Sequence, residues 1–138
     1  HWRPVVKEQQ FEGGCLCGAL RFSVQGETSW SAHCHCRMCQ KAHGTGYVTW
    51  VGVANDKFRL TEGENELAWF DSSEAAQRGF CRRCGSSLFF RSTRWPGETH
   101  ITLANFDGPI DRQPQANVFY DSHVEWMPVD KDLPIMDV

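Results

Sequence analysis

Phe80-Cys81-Arg82-Arg83-Cys84-Gly85-Ser86-Ser87-Leu88-Phe89 sets two cysteines, three positions apart, between strand-forming runs. Arg78-Gly79-Phe80 leads in and Ser87-Leu88-Phe89-Phe90-Arg91 leads out, so a knuckle joining two strands is the expected local structure. Thiols at i and i+3 around such a turn can present sulfurs about 3.8 Å apart, the edge of a zinc tetrahedron with Zn–S bonds of about 2.3 Å. Gly85, directly after the second thiol, permits the positive φ that turns backbone N–H groups toward the sulfurs. Two thiols fill half of a four-ligand shell. Gly14-Cys15-Leu16-Cys17-Gly18 supplies another pair with its own following glycine. Together Cys15, Cys17, Cys81 and Cys84 make a closed structural zinc site that ties the start of the domain to its middle.

Outward from these motifs the pattern is one of short strands. Leu20, Phe22 and Val24 alternate with Ala19, Arg21 and Ser23 up to Gly26, a half-buried strand. Residues 47–53 are rich in aromatic and β-branched side chains. Phe58-Arg59-Leu60 and Leu67-Ala68-Trp69-Phe70 flank Gly63 as in a hairpin. Thr99-His100-Ile101-Thr102-Leu103 alternates after the turn at Pro96-Gly97, and residues 117–120 and 124–127 are expected as late strands. Residues 30–46 read as loop, with one helical turn over Arg37–His43. These elements predict a mainly β fold of several sheets. Residues 1–11 are expected as an N-terminal arm and 12–138 as one zinc-binding domain.

Seven cysteines in 138 residues is an odd number, so intrachain disulfides cannot use them all. They are clustered rather than spread, as expected of metal ligands in a reducing compartment. With 14 Lys+Arg against 17 Asp+Glu the net charge is −3, which argues against nucleic acid as the main partner. The apolar runs are too short to span a bilayer. No charged-then-apolar leader opens the sequence, so a cytoplasmic location is expected.

Cys34, Cys36 and Cys39 are the remaining thiols. On one ion they leave a coordination position open, the mark of a catalytic zinc. Two alternatives stand beside this one. His33, His35 or His43 completes a second structural site, or the trio stays metal-free and cycles through a disulfide.

Gly14-Cys15-Leu16-Cys17-Gly18, Cys34-His35-Cys36-Arg37-Met38-Cys39-Gln40-Lys41 and the Phe80–Phe89 segment, in that order, resemble the glutathione-dependent formaldehyde-activating enzyme family. It is also called the GFA or CENP-V domain family, and the resemblance runs over about residues 12–134. It implies an Mss4-like fold of twisted antiparallel sheets. It implies a structural zinc on Cys15, Cys17, Cys81 and Cys84 and a catalytic zinc on Cys34, Cys36 and Cys39. The implied activity is that of a carbon–sulfur lyase joining formaldehyde to glutathione or reversing the addition, with a small-molecule thiol as partner. Asn117 stands where family members often carry a histidine.

On that reading the hydroxyl proton needs a carrier. His35 and His43 are the first candidates, ahead of His100 and His123. Arg37, Lys41, Arg82 and Arg83 lie beside the motifs as possible partners for glutathione carboxylates. Trp30, Tyr47, Trp50, Trp69, Trp95 and Trp126 wall a pocket or sit in the core. The competing class is a non-catalytic zinc scaffold or thiol-redox module, because a fold does not fix a function.

Overall fold

The structure is a computed structural model that describes residues 9–138. Residues 1–8 of the expected N-terminal arm lie outside that range. The arm reading does not extend to its last residues: β1 (Gln10–Gly14) is already a strand, paired antiparallel with β2 (Arg21–Gln25). Beyond β2 follow β3 (Trp30–Cys34), helix α1 (Arg37–His43), β4 (Val48–Ala54), β5 (Phe58–Glu62) and β6 (Leu67–Asp71). The chain continues through β7 (Ala76–Cys81), β8 (Ser87–Ser92), β9 (Glu98–Thr102), β10 (Asn117–Val118) and β11 (Ile135–Met136).

These strands form two sheets, a three-stranded one in the order β1-β2-β5 and an eight-stranded one in the order β11-β10-β3-β4-β9-β8-β7-β6. The mainly β expectation holds, with one qualification of pairing. Strand β10 runs parallel to both β3 and β11, so the large sheet is not wholly antiparallel.

Alternation along the strands divides the large sheet into two faces. One face turns Val51, Val53, Phe89 and Ile101 toward Leu20, Phe22 and Val24 of the small sheet, and this is the main core. Phe22 is 1% exposed and meets Phe89 and Phe106 edge-on, with centroids at 5.6 and 5.1 Å. Burying such a ring contributes roughly 1.5–3 kcal/mol. The other face gathers Ala32, Cys34, Trp50 and Val118 with Cys39 of α1 into a second, smaller cluster. That second face builds the site.

Three local expectations are corrected. Residues 30–34 are strand β3, not loop: Ala32 and Cys34 face inward at alternate positions, and pairing with β4 on one side and β10 on the other overrides their weak strand propensity. The two runs flanking Gly63 do not form a hairpin. Strand β5 pairs with β2 and β6 with β7, so the chain crosses between sheets at Gly63. Residues 124–127 form no strand, and Trp126 is 71% exposed. The helical turn over Arg37–His43 is α1 as expected, ended by Gly44 at φ 65° with its N–H on Gln40 O at 2.8 Å.

Candidate metal centre and active site

The first cysteine group assembles from two turns. Cys15 and Cys17 follow β1, while Cys81 ends β7 and Cys84 sits in the turn to β8. All four sulfurs lie within 4.8 Å of one another. Cys15 Sγ is 3.6 Å from Cys17 Sγ, which is 3.8 Å from Cys81 Sγ, the edge length of a zinc–thiolate tetrahedron. Both glycines after the pairs adopt left-handed backbone, Gly18 at φ 81° and Gly85 at φ 79°. Each turn closes on its own first cysteine: Gly18 N–H donates to Cys15 O at 3.1 Å and Gly85 N–H to Cys81 O at 2.8 Å. Leu20 N–H donates to Cys15 Sγ, and Leu16 N–H reaches across to Ser86 Oγ at 2.9 Å, tying one turn to the other. The Cys84 thiol is lowered to about 5, chiefly by the Ser86 hydroxyl and then by backbone N–H groups. Four thiols prepared in this way fit a closed metal site.

The second group is positioned by β3 and α1. Cys34 ends β3, Cys36 caps α1 by accepting the Cys39 N–H at 3.3 Å, and Cys39 lies in its first turn. Their sulfurs also lie within 4.8 Å of one another. The Cys36 thiol is held well below its ordinary value, first by the Cys34 thiol and next by that of Cys39. Cys34 is pushed up as the donor in that exchange. All seven cysteines of the chain are free thiols.

None of the nearby histidines completes this trio. His33 Nδ1 bonds Thr49 Oγ1 at 2.8 Å, and His35 Nε2 bonds Asn117 Oδ1 at 2.8 Å. His43 packs edge-on to Trp50 at 5.3 Å. Burial, helped by the Arg78 charge, lowers His43 to about 4. Among the described residues no fourth His, Cys, Asp or Glu lies with the three sulfurs. Asn117 is the hydrogen-bond partner that orients His35, which also packs on Tyr47 and Tyr120.

The trio opens on a cleft of about 910 Å³ whose walls are mostly apolar. Cys34, Cys36 and Cys39 are among its lining residues. Of the six aromatics singled out in the sequence, Trp30, Trp50 and Trp95 line it as well. Tyr47 instead packs on His33 and His35, and Trp69 on Phe89 of the core. Neither His35 nor His43, the first candidates for proton carrier, is among its lining residues, whereas His100 is. His123 is exposed and stacks on Tyr120 at 3.9 Å. Of the four cations beside the motifs, Arg37 lines the cleft and donates to Gln40 Oε1 at 2.6 Å. Lys41 is exposed on α1, and Arg82 and Arg83 are exposed at the other cysteine group.

Sequence reasoning missed the residue closest to the trio. Arg78 on β7 is 6% exposed and lines the cleft. Its Nη1 and Nη2 donate to Cys39 Sγ at 3.7 and 3.6 Å, and its guanidinium stands 5.1 Å from the Phe90 ring centre. The signal was present but faint: Arg78 occupies the same alternation as Ala76 and Phe80, an inward position for a charge.

A family model described as glutathione-dependent formaldehyde-activating enzyme matches residues 10–122. This chain belongs to that family. Among similar curated proteins of the family is one from Halomonas elongata named "Putative glutathione-dependent formaldehyde-activating enzyme". It is 27% identical over 128 residues, covering 86% of this chain and 80% of its own. A Schizosaccharomyces pombe protein named as an uncharacterized lyase is 29% identical over 99 residues, covering 72% of this chain and 70% of its own. A crystal structure of a Rhodobacter sphaeroides protein superposes with a TM-score of 0.61 at 21% identity, covering 72% of this chain and 91% of that one. That likeness speaks for the fold.

Proposed function

We propose that the protein is a zinc-dependent carbon–sulfur lyase acting on the adduct of a small thiol, such as glutathione, with an aldehyde such as formaldehyde. The reading is carried by one observation: three free thiols open on a cleft, with no fourth protein ligand beside them among the described residues. The names of the Halomonas and fission-yeast relatives, enzyme and lyase, agree with it. Cys15, Cys17, Cys81 and Cys84 would hold a structural zinc, and Cys34, Cys36 and Cys39 a catalytic one. A zinc ion on the trio would supply a Lewis-acidic position that favours the thiolate form of a substrate thiol at neutral pH.

The chain's own residues do the rest. In the forward direction the substrate sulfur bonds the carbonyl carbon, the C=O bond becomes C–O, and the proton lost by the thiol ends on that oxygen. The reverse step breaks the C–S bond and returns the proton to sulfur. Arg78 offsets negative charge accumulating beside Cys39, so that a further thiolate is not repelled. Trp50, Phe90 and Trp95 exclude water from the walls, which strengthens that interaction. Arg37, at the cysteine end, is the cation placed to meet a substrate carboxylate.

The test is the rate of hemithioacetal cleavage by the zinc-loaded protein with S-hydroxymethylglutathione. Acceleration over the uncatalysed reaction, lost by at least roughly a hundredfold in Cys36→Ser, is the expected outcome. A rate untouched by that substitution would overturn the proposal.

A further inference from the structure

Across the cleft-facing side of the large sheet, Trp30, Gly52, His100, Phe90 and Arg78 are neighbours in one row from β3 to β7. Gly52 leaves room for a ring: a Cβ there would stand 2.2 Å from Trp30 Nε1. The indole occupies that space and meets His100 edge-on, with centroids 4.6 Å apart at 82°. Phe90 stacks on His100 at 5.5 Å and 30°, and Trp95 approaches it at 5.5 Å. The imidazole is thereby framed by three rings, and the residue is only 5% exposed.

Glu98 organises the polar atoms of this group. Its Oε1 accepts the Trp30 Nε1–H at 3.1 Å, and its Oε2 lies 3.3 Å from His100 Nε2. A carboxylate only accepts, so Nε2 carries the imidazole proton and Nδ1 keeps a lone pair. Burial lowers the His100 pKa, which favours this neutral form. Among the described residues Nδ1 has no hydrogen-bond partner, on a side chain that lines the cleft. Nδ1 is not sealed from the cleft, so inside this aromatic frame it is open to accept from a ligand's donor.

The place of this group relative to the thiols follows from the register. Arg78, in contact with Cys39, lies two strands from His100 in the same row, about 10 Å at about 4.8 Å per strand. We propose that the His100 end of the cleft is a subsite for a planar aromatic group bearing a hydroxyl or N–H donor, so that the adduct handled at the cysteines carries a phenol-like substituent. This deepens the thiol–aldehyde reading and rests on it for where the sulfur sits. Formaldehyde itself is small against a cleft of about 910 Å³, and His100 with its ring frame lines that cleft two strands from Arg78.

The experiment is a calorimetric titration of the zinc-loaded protein with 4-methylphenol and with 4-methylanisole, which has the same ring and no donor. The phenol should bind roughly tenfold more tightly, the worth of one hydrogen bond, and should quench tryptophan fluorescence. His100→Phe should bind the two probes equally. Equal affinities for the unaltered protein, or a phenol preference retained in His100→Phe, would overturn the subsite. The comparison within the unaltered protein stands even if the variant fails to fold. Neither probe contains sulfur or an aldehyde, so the outcome is independent of turnover. Phenol preference without hemithioacetal cleavage would overturn the enzyme reading alone, and cleavage without phenol preference would overturn the subsite alone.

Discussion

Arg78 is the residue whose removal should be felt most. A divalent ion held by three thiolates would carry a net charge near −1, and an incoming thiolate would add another, all in a partly buried site. The Arg78 guanidinium, both of its Nη atoms on Cys39, offsets this. Arg78→Met should lower turnover of a thiol adduct roughly a hundredfold, with a smaller effect on a neutral ligand such as imidazole. Steady-state rates alongside ligand titrations of the cobalt-substituted protein would check this. His43 provides a pH test. Its pKa falls from 6.5 to about 4 on folding, so between those values the unfolded chain binds more protons. Stability therefore rises with pH across that window and falls as acid enters it. Urea melts at about pH 5 and about pH 7.5 should show a smaller difference in His43→Phe than in the unaltered protein. At this scale the sequence was generous with the cysteine groups and silent on their surroundings. Cysteine spacing points to each sulfur cluster locally, whereas Arg78, Asn117 and Glu98 reach their partners only when distant strands pair.

Strands β3, β4, β9, β8 and β7 act together because their registers bring single residues into rows. Gly52 shows how little is needed to spoil one. In Gly52→Ala the added methyl collides with the Trp30 indole, which must leave its bond to Glu98. A loss of roughly 1–3 kcal/mol of stability is expected, with altered tryptophan fluorescence, measured by denaturant titration. The strands with clear alternation, such as β2, β4 and β9, were legible from their β-branched and apolar residues. Strand β3 was not, because Ser31, His33 and Cys34 carry no strand signature and are held by two neighbours. The pair around Gly63 misled for the converse reason. Two good strands on either side of a glycine look like a hairpin, yet the apolar faces of β5 and β6 find partners in different sheets.

For the whole molecule, the two cysteine groups occupy different places. The first joins the turn after β1 of the small sheet to the turn between β7 and β8 of the large one. Metal binding there is folding free energy, so Cys84→Ser should destabilise the protein by several kcal/mol, and a strong chelator should lower the thermal midpoint of the unaltered protein. Calorimetric melts with and without chelator would register both. The second group serves the cleft, so Cys36→Ser should leave the midpoint almost where it was. Family membership was visible in three spaced motifs, but the placing of each cysteine group in its own cluster was not, because it depends on how the strands pair. Zinc content per chain, by atomic emission on the unaltered protein and on Cys36→Ser, tests the central claim most directly. Two zinc ions falling to one in the variant is the predicted result. A single ion in both proteins, or two retained in the variant, would contradict it.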